Sequence, residues 1–134
     1  MTDSDHVEIN GKQPDVVGRV CEGLVAIEYR HAGVVVEPAN VVFLKFVSRW
    51  YRLYFDFGTV FWRPGDDGPK SFVAEELDAS FRVDDLGARF RLLGLRLEAV
   101  RYQPLDDGSA VTLHFDGNRE ISFECRGDVT TYSA

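Results

Sequence analysis

Apolar and polar positions alternate with period two along most of the chain, the pattern of strands that bury one face. Residues 24–30 (LVAIEYR) set Val25, Ile27 and Tyr29 on one side, read as the apolar side, and Leu24, Ala26, Glu28 and Arg30 on the other. Residues 33–36 extend this as a short edge. Residues 41–46 (VVFLKF) are β-branched and aromatic, with Val42, Leu44 and Phe46 sharing a side. After a turn at 47–49, residues 50–57 (WYRLYFDF) place Tyr51, Leu53, Phe55 and Phe57 on one face and Trp50, Arg52, Tyr54 and Asp56 on the other. Gly58 turns the chain into a strand at 59–63, and 64–69 (PGDDGP) is a loop. Residues 71–83 fit strand and helix equally well. Asp84-Asp85 opens a short helix running to Leu92 and bounded by Gly94. Strands resume at 95–102, 110–115, 119–125 and 129–132, joined by turns at 104–109 and Asp116-Gly117-Asn118. Ahead of all these, residues 15–22 (DVVGRVCE) predict one or two helical turns capped by Asp15 and closed by Gly23. Residues 1–14 carry no periodicity and are expected to be flexible.

The pattern recurs. GLVAIEYR at 23–30 parallels GLRLEAVR at 94–101, and VVFLKF at 41–46 parallels AVTLHF at 110–115. Leu53 and Phe55 then correspond to Ile121 and Phe123. The expected fold is α+β and predominantly antiparallel β, with two related helix–β-meander units, about 15–63 and 84–132. A connector at 64–83 joins them, and one curved sheet or two layers result, because a unit this small cannot bury its own apolar face. The copies are unequal: the first carries Trp50, Tyr51, Tyr54, Phe57, Phe61 and Trp62 where the second has Arg119, Glu120, Ser122 and Cys125.

Composition narrows the function classes. The chain of 134 residues fits one domain, and 45% hydrophobic with 28% charged residues is a globular make-up. With 22 acidic against 15 basic residues the net charge is −7, which repels nucleic acid and attracts a basic protein, although solubility alone also accounts for it. Residues 1–6 are polar and acidic, unlike a secretory leader, and no apolar run approaches a membrane span. Cys21 and Cys125 lie far apart in apolar surroundings and read as buried thiols of a cytoplasmic protein.

No catalytic motif emerges, and neither metal nor cofactor is expected. His6, His31 and His114 are scattered, without the local spacing of a zinc site. Acidic pairs stand at Asp66-Asp67, Glu75-Glu76, Asp84-Asp85 and Asp106-Asp107, and the three Asp pairs fit turns and helix caps better than paired acid–base chemistry. What remains is a recognition surface at Arg49, Trp50, Arg52, Tyr54, Trp62, Asp66 and Asp67, because Trp, Tyr and Arg are the residue types enriched at binding hot spots. Aromatics on both sides of residues 50–57 equally fit a central strand buried on both faces.

At 49–63 the run RWYRLYFDFGTVFWR resembles small bacterial proteins with the pattern W-x-R-x-Y-F-D-x-G-x-x-F-W, and in size and acidity the chain resembles immunity proteins. That resemblance implies a protein that neutralises a toxin by direct binding; it assigns no residue a role. Two other readings stand beside it. One is a small-ligand-binding or hydrolytic β-barrel-like domain with Tyr29, Arg101 or His114 converging on a cavity, and the other is a homodimer joined through the aromatic strand.

Overall fold

Valine, isoleucine, phenylalanine and tyrosine dominate the alternating runs, and these branched and aromatic side chains pack well on a pleated surface. In the computed structural model, which describes residues 6–134, they form eleven strands. These are β1 (Ile9–Asn10), β2 (Gly23–His31), β3 (Val34–Phe46), β4 (Arg49–Asp56), β5 (Thr59–Pro64), β6 (Phe72–Ala74), β7 (Ala79–Asp85), β8 (Leu97–Leu105), β9 (Gly108–Phe115), β10 (Arg119–Arg126) and β11 (Val129–Ser133). A 3-10 turn at Glu75–Leu77 and one helical turn, α1 (Leu86–Arg89), complete the described elements. The large sheet runs β1-β5-β4-β3-β2-β7-β6 and the small one β11-β10-β9-β8. All pairings are antiparallel except β1 with β5.

The two sheets share one core. Leu24, Leu44, Phe46 and Leu53 of the large sheet and Leu113, Phe115, Ile121 and Phe123 of the small one are buried in a single cluster. Each such side chain contributes about 1.5–3 kcal/mol on leaving water, so this shared layer holds the sheets together. The fold is therefore mostly antiparallel β, with far less helix than an α+β class implies.

Several expectations are corrected. Residues 15–22 form no helix: Gly18 has φ +88°, and the backbone N–H groups of Gly18 and Cys21 donate instead to the carbonyls of Leu97 and Leu95. This extended strap ties β8 to the large sheet, since Glu22 N–H donates to the Lys45 carbonyl. The ambiguous 71–83 stretch adds β6 and β7 to the large sheet, so β2 has a neighbour on each side. On β2 the core face is the Leu24–Ala26 side, while Val25 and Ile27 are buried on the opposite face with Phe43. The helix at Asp84-Asp85 is one turn long, ending at Arg89; Asp85 caps it by accepting from Ala88 N–H at 3.0 Å. Phe57 leaves the apolar face of its strand and sits 86% exposed in the β4–β5 turn.

The N-terminal segment, expected to be flexible, is anchored where it is described. β1 lies alongside β5, Val60 N–H donates to the Glu8 carbonyl, and Arg63 Nη2 donates to Asn10 Oδ1 at 2.6 Å. A two-residue strand is too short to show a period. Residues 1–5, included in that expectation, lie outside the described residues.

Candidate functional site: the outer face of the large sheet

Period-two alternation decides what the large sheet shows outward. Leu53 of β4 and Val60 and Trp62 of β5 point into the core, so Arg52, Tyr54, Phe61 and Arg63 point away from it. Residues paired across strands share a face: Phe43 lies opposite Arg52, Arg52 opposite Arg63, Tyr54 opposite Phe61, and Ile27 opposite both Val41 and Val83. The Tyr54 and Phe61 rings stack at 5.1 Å with 3° between planes, and the Arg63 guanidinium lies 5.3 Å from the Phe61 centroid. Phe43 meets Trp50 edge-on at 6.3 Å, with the Lys45 ammonium 5.7 Å from the Trp50 ring. A second stack, Tyr29–Phe81–Phe72, runs to the sheet edge with spacings of 5.0 and 4.5 Å.

The small sheet is clothed differently. Outward from β9 and β10 point Thr112, bonded to Ser122 at 2.7 Å, and His114, whose Nδ1 lies 3.0 Å from Glu120 Oε2. One outer face is aromatic and cationic, the other polar.

The expected contact residues fall into three groups. Arg52 and Tyr54 lie on the aromatic face; both are half-buried, and Arg52 Nε donates to the Pro64 carbonyl at 2.9 Å. Trp50 is half-buried, and the loop after β5 crosses it so closely that a Cβ at Gly68 would stand 2.8 Å from the indole nitrogen. That loop carries Asp66 and Asp67 into solvent, where Asp67 has only an exposed partner, Lys70, at 3.8 Å; such a pair contributes little. Arg49 is exposed at the start of β4. Trp62 belongs elsewhere. It is 2% exposed in the core, its Nε1–H donates to Tyr102 Oη at 2.9 Å, and Tyr102 donates onward to Gln13 Oε1 at 2.5 Å. A partner on the outer face cannot reach it. Phe61, Arg63 and Lys45 belong to the face instead; the alternation Val60-Phe61-Trp62-Arg63 carries that signal once Trp62 is placed inside.

The remaining chemistry-bearing groups are occupied structurally. Burial pushes the Cys21 thiol up to about 11 and raises that of Cys125 as well, so neither is a thiolate near neutrality. Asp84 pairs with Arg89 at 3.1 Å and accepts from Tyr132 Oη–H at 2.9 Å. Of the residues named for the cavity reading, Tyr29 lies on β2 of the large sheet, and Arg101 and His114 lie on β8 and β9 of the small one. Among the described residues no three His, Cys, Asp or Glu side chains are placed to hold a metal ion, and no helix is long and apolar enough to cross a membrane. A surface cleft of about 520 Å³ lies between the hairpin tips and is lined by Phe57, Glu8, Asp106, Asp107 and Asp128. Comparison with protein-family models, curated proteins and solved structures finds no match to this chain.

Proposed function

We propose that this chain is a non-enzymatic, cytoplasmic protein-binding module of the immunity or inhibitor type, which neutralises a basic partner such as a toxin domain by covering it. The observation carrying this reading is the contrast between the two outer faces. A sheet face exposed to water ordinarily shows polar side chains, as the small sheet does. The large sheet instead presents stacked Tyr54 and Phe61 beside the cross-strand pair Arg52 and Arg63. Tyr and Arg concentrate binding energy at interfaces, and rings already stacked in the free protein lose little freedom on docking.

The net charge of −7 favours a basic partner and fast, salt-sensitive association. We read β2–β5 and β8–β11 as copies of one unit, of which only the first gained aromatic surface; the chain-order adjacency of strands in both runs supports this.

The test is co-expression with the products of neighbouring reading frames, followed by light scattering and an assay of the partner's own activity. The expected result is a stoichiometric, inhibited complex that weakens as salt rises. Tyr54→Ala should loosen it about tenfold, the scale of a loss of roughly 1.4 kcal/mol. If no neighbouring product binds, the proposal falls.

A further inference from the structure

The sheets end in four edge strands, β1 and β6 on the large sheet and β8 and β11 on the small one. An open edge offers unpaired backbone N–H and C=O groups to any extended chain, and natural proteins blunt such edges. Three of the four are blunted here. β1 is two residues long. β8 is covered at its start by the 18–21 strap and carries Pro104 near its end. On β11 the Thr130 N–H is taken by Glu37 Oε2 at 2.8 Å.

β6 is different. It is bonded to β7 on one side, and the large sheet ends with it. Phe72 and Val73 on it are 56% and 67% exposed, Leu77 in the turn that follows is 70% exposed, and Val83 of β7 is 41% exposed. Two concavities adjoin the strand, one of about 460 Å³ lined by Phe72, Val73, Phe81, Arg82 and Val83, the other of about 400 Å³ lined by Val73, Glu75, Glu76 and Leu77. Strand addition uses this combination: backbone pairing at the edge, with shallow sites on either side for alternate side chains.

Charge selects the occupant. Residues 66–85 contain seven acidic residues (Asp66, Asp67, Glu75, Glu76, Asp78, Asp84 and Asp85) and two basic ones (Lys70 and Arg82), so five of the seven net negative charges of the chain lie in this segment. A second copy would bring the same acidic segment against itself, at a cost. We propose that the β6 edge takes up an extended segment of a partner protein whose apolar residues alternate with lysine or arginine, pairing antiparallel or parallel beyond Phe72–Ala74. This rests on the protein-binding function and deepens it by adding a second contact, the β6 edge, to the aromatic face. Three residues of backbone pairing are few, so Phe72, Val73, Leu77 and the surrounding carboxylates must supply most of the affinity.

The test titrates the ¹⁵N-labelled full chain with a synthetic peptide of alternating lysine and valine, followed by amide resonances. Parallel titrations use the glutamate–valine counterpart and a lysine–valine peptide N-methylated at alternate residues, which cannot pair as a strand. The expected result is binding of the first peptide with shifts centred on Phe72–Ala74 and Arg82–Val83. Affinity should fall at least about tenfold in the other two peptides and in Val73→Lys, an exposed substitution that keeps the fold. Equal binding of the N-methylated peptide, shifts centred on Tyr54 and Phe61, self-association through β6, or no binding of the lysine peptide would each overturn the edge proposal. Shifts at Tyr54 and Phe61 would do so while leaving the protein-binding function standing. That function is decided separately by the co-expression experiment.

Discussion

Phe57 sits at the first position of the β4–β5 turn with φ +49°, followed by Gly58 at φ +78°. Two successive positive φ values match the right-handed twist of a hairpin, and Asn-Gly is the pair that adopts them with least strain. A bulky residue forced left-handed costs about 1–2 kcal/mol, and at 86% exposure Phe57 recovers almost none of that by burial. Phe57→Asn should therefore raise stability by about 0.5–1 kcal/mol, read from the urea midpoint at constant slope. A midpoint that falls would show that the ring makes a stabilising contact. Val47 and Ser48 at the opposite end of β4 repeat the feature, with φ +51° and +61° and Val47 exposed. Apolar side chains thus stand at strained tips on both ends of the strand that carries Tyr54.

At the scale of elements, the loop from Pro64 to Ser71 sets the geometry of the aromatic face. It leaves the β5 side of the large sheet and arrives at β6 on the other, passing over Trp50. Gly65 N–H donates to the Trp50 carbonyl, and Gly68 has both φ +78° and the indole where its Cβ would be. Gly68→Ala should cost about 1–3 kcal/mol and free the loop, giving faster amide exchange from 65 to 71 and a red-shifted Trp50 emission. Unchanged exchange would mean that the loop does not need Trp50. Little of this was legible in the sequence. Alternation in VVFLKF, WYRLYFDF and AVTLHF identified strands and inward residues because one deep core imposes period two on all of them. It failed at 15–22, where local propensity favoured a turn of helix and the β8 backbone offered better partners. It failed also for β2, where Val25, Ile27 and Tyr29 read as the apolar side although both faces are buried and the main core lies on the Leu24–Ala26 side. Trp50 and Trp62 lie on the adjacent strands β4 and β5 with opposite fates, and residue type alone grouped them.

Whether the whole molecule behaves as one unit turns on the shared core. Two sheets could unfold independently, whereas Phe46 and Leu53 pack in the same buried cluster as Phe115, Ile121 and Phe123. The strap at 18–22 adds backbone bonds from β8 on one side to Lys45 on the other. The cluster of Val25, Ile27 and Phe43 lies apart on the outer face of the large sheet, but loss of either sheet exposes the main core of both. Leu113→Ala, a large-to-small change at a fully buried small-sheet position, should destabilise the protein by about 2–5 kcal/mol. Trp62 is bonded to Tyr102 of β8 and senses both sheets. The experiment therefore uses a Trp62→Phe background in which Trp50, on the outer face of the large sheet, reports on that sheet, while far-ultraviolet circular dichroism reports on both. In a single cooperative unit the variant must shift the tryptophan transition and the dichroism transition by the same amount. A dichroism midpoint that moves while tryptophan fluorescence holds the midpoint of that background would show two folding units. The aromatic face would then ride on a sheet that stands without the other.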